Sequence, residues 1–254
     1  MISILTSIFI ISSCISGQPV PDLTSQTTPE VIISKAVQAI GGRRALENIK
    51  SFTLHGVMLT QDDRPVVEID LSTSVGGKVL GILTFIGVGQ SRFGSDGTTA
   101  WEQNLDAKQE PLWTIIEQKA LSQKIQQINW LEWFTMLPAK ISNIEYIGEE
   151  EFDGETCVKL LLKEEDKEEI AFFSISTHRP RGRRKIENTP NGEVIIDVYF
   201  RNWQRVEDLL LFHTVVFDQN GSEVSFKMDR ISVESIPDSM FTLPEYISTI
   251  PEPS

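Results

Sequence analysis

Across 254 residues, 36 acidic side chains outnumber 23 basic ones and leave a formal charge of −13. That balance excludes a general basic face for nucleic acid or an anionic membrane surface. With two cysteines, Cys14 and Cys157, and three histidines, the chain lacks the spacing of a structural zinc site, so stability must come from packing.

The chain opens on an apolar run, Ile2, Ile4, Leu5, Ile8, Phe9, Ile10 and Ile11, which gives way to small residues and then Gly17 to Pro21. This is the layout of a signal peptide over residues 1–17, although only the α-amino group supplies positive charge ahead of it. The run is too short to span a bilayer as a stable helix. Ile11-Ser12-Ser13-Cys14 looks like a bacterial lipobox, which makes Cys14 a lipidation candidate and a route to membrane anchoring. The alternative is an ordinary signal cut near Ser16 or Gly17. Residues 18–27 are polar and contain proline, as a flexible tether would.

A single domain is expected over residues 28–250. Thr28-Pro29-Glu30 reads as an N-cap, a proline in the first turn and an acid beside it. Ile33, Ala36, Val37 and Ile40 give the following helix an apolar face, Gly41-Gly42 stops it, and a second short helix is expected from Arg43 to Ile49. From Ser51 the period changes to two. Val67, Ile69 and Leu71 alternate with polar neighbours, as do Val224, Phe226 and Met228. Asp96-Gly97, Asp153-Gly154, Asn191-Gly192 and Asn220-Gly221 supply hairpin turns, and their spacing from about Tyr146 to Val233 predicts an antiparallel meander. The fold class is therefore α+β, mainly β.

Two strands, Val79 to Ile86 and Leu209 to Phe217, are apolar on both faces and predict a sheet covered twice. Leu112 to Leu137, rich in tryptophan and closed by Pro138, reads as one or two amphipathic helices that would supply one cover. The basic run His178 to Lys185 reads best as a solvated hairpin offsetting nearby acids.

Catalysis finds no foothold in this sequence. There is no Gly-x-Ser-x-Gly elbow, His-Glu-x-x-His helix or phosphate-binding glycine loop, and no cofactor motif. His55 and His213 fall in predicted strands, where a hydrogen-bonded structural role outweighs that of a base or ligand. A metal-free hydrolase is the least favoured reading.

Several phrases carry a resemblance. Ala39-Ile40-Gly41-Gly42 with Ala45-Leu46 running into Ile49-Lys50-Ser51, Gly94-Ser95-Asp96-Gly97-Thr98-Thr99-Ala100-Trp101, Glu149 to Gly154, and Ile236 to Pro244 are similar to segments of the LolA/LolB-like outer-membrane lipoprotein-sorting superfamily. The resemblance runs from about Val31 to Pro244. It implies a curved antiparallel sheet forming an incomplete β-barrel, with helices covering its concave face. It further implies an apolar cavity between them that takes an acyl chain of a lipoprotein or another amphiphile, in the periplasm or at a membrane of a Gram-negative-type bacterium.

On that basis the candidate lipid contacts are Trp113, Trp130, Trp133, Phe134 and Met136 from the helical cover, and Met58, Leu83, Phe85, Phe212 and Phe226 from the sheet. An ordinary packed core would use the same residue types. An envelope scaffold or protein-binding module with no lipid cavity is the alternative. The oligomeric state is left open.

Overall fold

The computed structural model describes residues 28–105, 110–126, 143–164, 167–189 and 192–245. Helix α1 (Pro29–Ala39) begins as its sequence dictates: Thr28 Oγ1 accepts a hydrogen bond from Val31 N at 3.4 Å, and Pro29 occupies a first-turn position where no N–H is needed. Ile33, Ala36 and Ile40 are buried together with Ile32, which the periodicity alone had not marked. After the Gly41-Gly42 corner comes α2 (Arg43–Glu47), which buries Leu46.

Among the described residues thirteen strands form one antiparallel sheet. They are β1 (Ser51–Leu59), β2 (Pro65–Ser74), β3 (Lys78–Phe85), β4 (Gly89–Asp96), β5 (Ala100–Leu105), β6 (Pro111–Ile116), β7 (Asn143–Phe152), β8 (Glu155–Glu164), β9 (Lys167–Ser174), β10 (Pro180–Thr189), β11 (Gly192–Val206), β12 (Leu209–Gln219) and β13 (Ser222–Ser232). The order is β6-β5-β4-β3-β2-β1-β13-β12-β11-β10-β9-β8-β7, so the sheet is not closed. Among the described residues the two meanders, β1–β6 and β7–β13, meet within the sheet at β1 against β13. The expected meander from Tyr146 to Val233 corresponds to the second. Its turns use the predicted chemistry: Asp153 and Gly154 sit at φ 50° and 73°, Asn220 and Gly221 at 54° and 83°. Asn191 lies outside the described residues.

Two expectations are corrected. The segment from Leu112 to Leu137 does not begin as a helix. Pro111 to Ile116 is strand β6, and α3 spans only Gln118–Gln126 among the described residues. The run Trp113-Thr114-Ile115-Ile116 is aromatic and β-branched, which favours a pleated surface over a helical turn. The run His178 to Lys185 does belong to a hairpin, β9–β10, with His178 in its turn at φ 59°, but it is not solvated. From Pro180 it is strand β10, and its arginines are paired with carboxylates on neighbouring strands.

One large apolar cluster joins buried side chains of α1, α2 and α3 (Ile33, Leu46 and Leu121 among them), with Ile40 just after α1, to one face of the sheet, called here the core face. A second, small cluster of Phe152, Cys157 and Phe172 lies on the outer face of the second meander. The second cover is thus made, in this region, by the sheet's own side chains. Burial pushes the Cys157 thiol up to about 11, which leaves it an inert packing residue.

Candidate functional site

Register assigns each core-face residue its neighbours. Phe52, Leu54, Gly56 and Met58 of β1 face Thr73, Leu71, Ile69 and Val67 of β2, which in turn face Val79, Gly81, Leu83 and Phe85 of β3. Burial fades along all three strands in the same direction. Phe52, Leu71 and Val79 are buried, Met58, Val67 and Leu83 are half-buried, and Phe85 is 39% exposed. The exposed end continues into the β3–β4 turn, where Ile86 and Val88 stand in solvent and Ile86 N donates to Val66 O at 3.1 Å. At the opposite end β3 and β4 meet the 3-10 turn Asp238–Phe241, whose Phe241 is buried.

A close approach shapes the filled part. The ring of Phe93 in β4 lies flat over Gly81, where an added Cβ would meet a ring carbon at 2.1 Å. Only glycine leaves that space. Phe226 lies over Gly56 in the same manner.

The outer face of the second meander is built differently. Arg184 Nε and its terminal nitrogen donate to Asp197 at 2.7 and 2.9 Å, and a third guanidinium nitrogen reaches Glu150 at 2.9 Å. These bonds, Asp197 first, hold the guanidinium far above its ordinary range. The same group lies 5.5 and 5.9 Å from the centroids of Phe172 and Phe152, whose rings stack at 3.8 Å. Asp153, the β7–β8 turn residue, accepts from Arg181 at 2.8 Å and Arg201 at 2.7 Å. Burial, then Asp197, pushes the neighbouring Tyr199 phenol up to about 12.

No protein-family model matches the chain, and no curated protein matches it. Solved structures do. A LolA superfamily protein from Nitrosomonas europaea superposes with a TM-score of 0.56 at 14% identity, over 85% of this chain and 98% of that one. A DUF1329 family protein from Desulfovibrio piger gives 0.56 at 12% identity, over 84% and 96%. The chain has the LolA-like fold.

Within this LolA-like fold the candidate side chains fall into distinct settings. Met58, Leu83 and Phe85 belong to the fading apolar strip described above. Phe212 and Phe226 are buried, and Phe212 stacks on Phe200 at 4.4 Å. Trp113 is not in a helix over the core face. Gly94 pairs with Trp101 and Trp101 with Ile115, which puts Trp101, Ile115 and Trp113 on the face opposite Phe93, Ala100 and Ile116. There Trp113 packs against Trp101 with ring centroids 5.3 Å apart. Trp130, Trp133, Phe134, Met136 and Cys14 lie outside the described residues.

Two hollows lie elsewhere. One of about 380 Å³ is lined by Lys78, Asp96, Asp238, Phe241, Thr242 and Leu243, with Lys78 Nζ 2.7 Å from Asp238. Another of about 280 Å³ sits between α2 and the β11–β12 turn. Sequence reasoning marked neither. It took Arg183 only as part of the solvated basic run, whereas Arg183 shares the core face with Ala171 and Val198 and donates to both Glu169 oxygens at 3.3 Å. Its partner is 14 positions away, beyond any local signal.

Both strand histidines have partners. His55 Nδ1 is 2.9 Å from Asp70 Oδ1, and His213 Nδ1 is 3.2 Å from Leu211 O. Among the described residues no three His, Cys, Asp or Glu side chains form a metal-binding group, and no helix is long and apolar enough to cross a membrane.

Proposed function

We propose that this protein is a non-enzymatic binder of an acyl chain, carried by a lipoprotein or another envelope amphiphile, acting outside the cytoplasm. In this reading the curved sheet is an incomplete barrel whose concave side is the core face, and the helices lie across it. The observation that carries it is the strip of Met58, Val67, Leu83 and Phe85, whose burial fades toward one end of the sheet. An ordinary packed core closes over such a strip, whereas a ligand face leaves it for the ligand to complete. The LolA-like fold supports the same reading at the level of architecture.

Binding needs no covalent chemistry. Burying a chain of ~14 carbons at ~0.8 kcal/mol per CH2 offers ~11 kcal/mol before ordering costs, enough for reversible capture. Trp130, Trp133, Phe134 and Met136 are assigned to the same site by their sequence pattern. Cys14, if acylated, would anchor the protein at a membrane, which suits a receptor or sensor better than a soluble ferry.

Native mass spectrometry of the protein purified from a membrane-containing host tests this. The expected result is a stoichiometric acyl-bearing mass that is lost on Phe85→Asp or Trp133→Asp while the circular dichroism spectrum is kept. A clean apo mass that stays unchanged when phospholipid or lipoprotein is added overturns the reading. It would favour a protein-binding scaffold, which the tight packing of Phe212 and Phe226 would suit.

A further inference from the structure

The fading strip has an inner end, and two aromatic rings form it. On the core face the register stacks three rows across β1, β2 and β3: Met58-Val67-Phe85 outermost, then Gly56-Ile69-Leu83, then Leu54-Leu71-Gly81. The outermost row is half-buried or exposed, whereas Leu54 and Leu71 of the innermost are buried. Each of the two glycines lies under a ring from the adjoining strand. Phe226 of β13 stands over Gly56 and Phe93 of β4 over Gly81, where an added Cβ would meet ring carbons at 2.8 and 2.1 Å. Both rings are 2% exposed. They reach in from the two flanks, one row apart, so a hydrocarbon chain lying along the strip from its open end meets Phe226 first and Phe93 one row further in.

We propose, resting on the acyl-binding reading above, that Phe226 and Phe93 are the stops that set how long a chain the site accepts. Same-face neighbours along a strand are ~7 Å apart and an extended chain advances ~1.2 Å per bond, so each row corresponds to about six carbons. Two row spacings separate the outermost row from the Phe93 stop, which gives about twelve carbons along the sheet. Further carbons stay at the exposed Ile86 and Val88 and gain little burial. The stops hold because each ring rests against backbone in a close-packed interior and has no room to sink further.

The test is displacement of a fluorescent acyl probe from the full chain by saturated monoacylglycerols of ~8 to ~18 carbons, whose affinity should rise about fourfold per methylene and stop rising near about twelve. In Phe93→Ala the break should move to chains about six carbons longer, one row. In Leu83→Phe, which puts a ring in the middle row, it should move to shorter chains by about as much. Leu83 is half-buried, so the second variant tests the stop even where Phe93→Ala, made in the core, fails to fold. A break at the same length in the wild-type protein and in Leu83→Phe, or no break up to the longest chain in the wild-type protein, overturns the proposal and leaves acyl binding standing. A probe that does not bind the wild-type protein at all overturns the acyl-binding reading and the proposal with it.

Discussion

The meander β1–β6 and the meander β7–β13 share one sheet but finish their faces in opposite ways. In β7–β13 the outer face is sealed by a continuous lattice: Arg184 ties Glu150 to Asp197 above the stacked rings of Phe152 and Phe172, and Asp153 ties Arg181 to Arg201. In β1–β6 the outer face carries separate contacts, such as His55 with Asp70 and Gln90 with Thr84 and Arg92, and it is the core face that is left unfinished at Met58, Leu83 and Phe85. A charged group held over an aromatic ring and bonded to carboxylates fixes geometry, because each partner restricts the others. An apolar strip open at one end fixes nothing and adapts to what covers it. In the proposed reading the second meander serves as frame and the first presents its core face to a ligand.

The frame should fail most sharply at its hub. Asp153→Asn keeps a residue that tolerates positive φ but removes the charge shared by two arginines, so about 3 kcal/mol of stability should be lost at neutral pH in denaturant unfolding. Loss of under about 0.5 kcal/mol would mean that the lattice is decoration and that the two meanders do not differ in rigidity. On the other side of the seam, Gly81→Ala should cost about 2 kcal/mol because the Phe93 ring must move, and Phe93→Leu in the same chain should restore part of it. Hydrogen exchange should show that loss confined to β2–β5, with β8–β11 unchanged.

The face is tested by a change that spares the fold. Phe85 is 39% exposed, so Phe85→Ala should alter unfolding by less than about 1 kcal/mol yet weaken capture of an acyl probe about tenfold by fluorescence titration. Equal binding by the variant would remove the strip from the site and leave the sheet's first half without its proposed role.

How legible each half was from sequence follows the same division. The frame's strands and turns were readable because hairpin chemistry is local: Asp153-Gly154 and Asn220-Gly221 announce themselves, as does the Thr28-Pro29 helix start. The lattice was not, because Arg181, Arg183 and Arg184 find their carboxylates 28, 14 and 13 positions away, so the basic run looked solvated when it was paired. Trp113 was misplaced for a different reason. A short apolar run of six residues fits a strand or a helix equally by period, and here the β-branched residues beside it decided. On the face, Met58, Leu83 and Phe85 came from strand position under the resemblance, because a strand apolar on both faces gives alternation nothing to choose between, and their graded exposure depends on packing from distant parts of the chain.

The smallest predicted effect separates charge from packing inside the frame. The Glu150 carboxyl is held below its ordinary value of 4.5, first by the hydrogen bond from Lys159 at 2.9 Å, against an opposing pull from burial that ranks second, with Arg184 adding to the lowering. A carboxylate whose folded-state pKa is depressed adds stability above its unfolded value and loses it as the pH falls through the folded value. Because Glu150 is about a third exposed, Glu150→Gln should cost only about 0.5 kcal/mol at pH 7. That cost should hold down to about pH 4.5 and then shrink in more acid solution, and it should also fall with added salt. If it instead persists unchanged at pH 3, then Glu150 acts through shape, and the stacked pair of Phe152 and Phe172 rather than the ion pairs above them is what holds the frame.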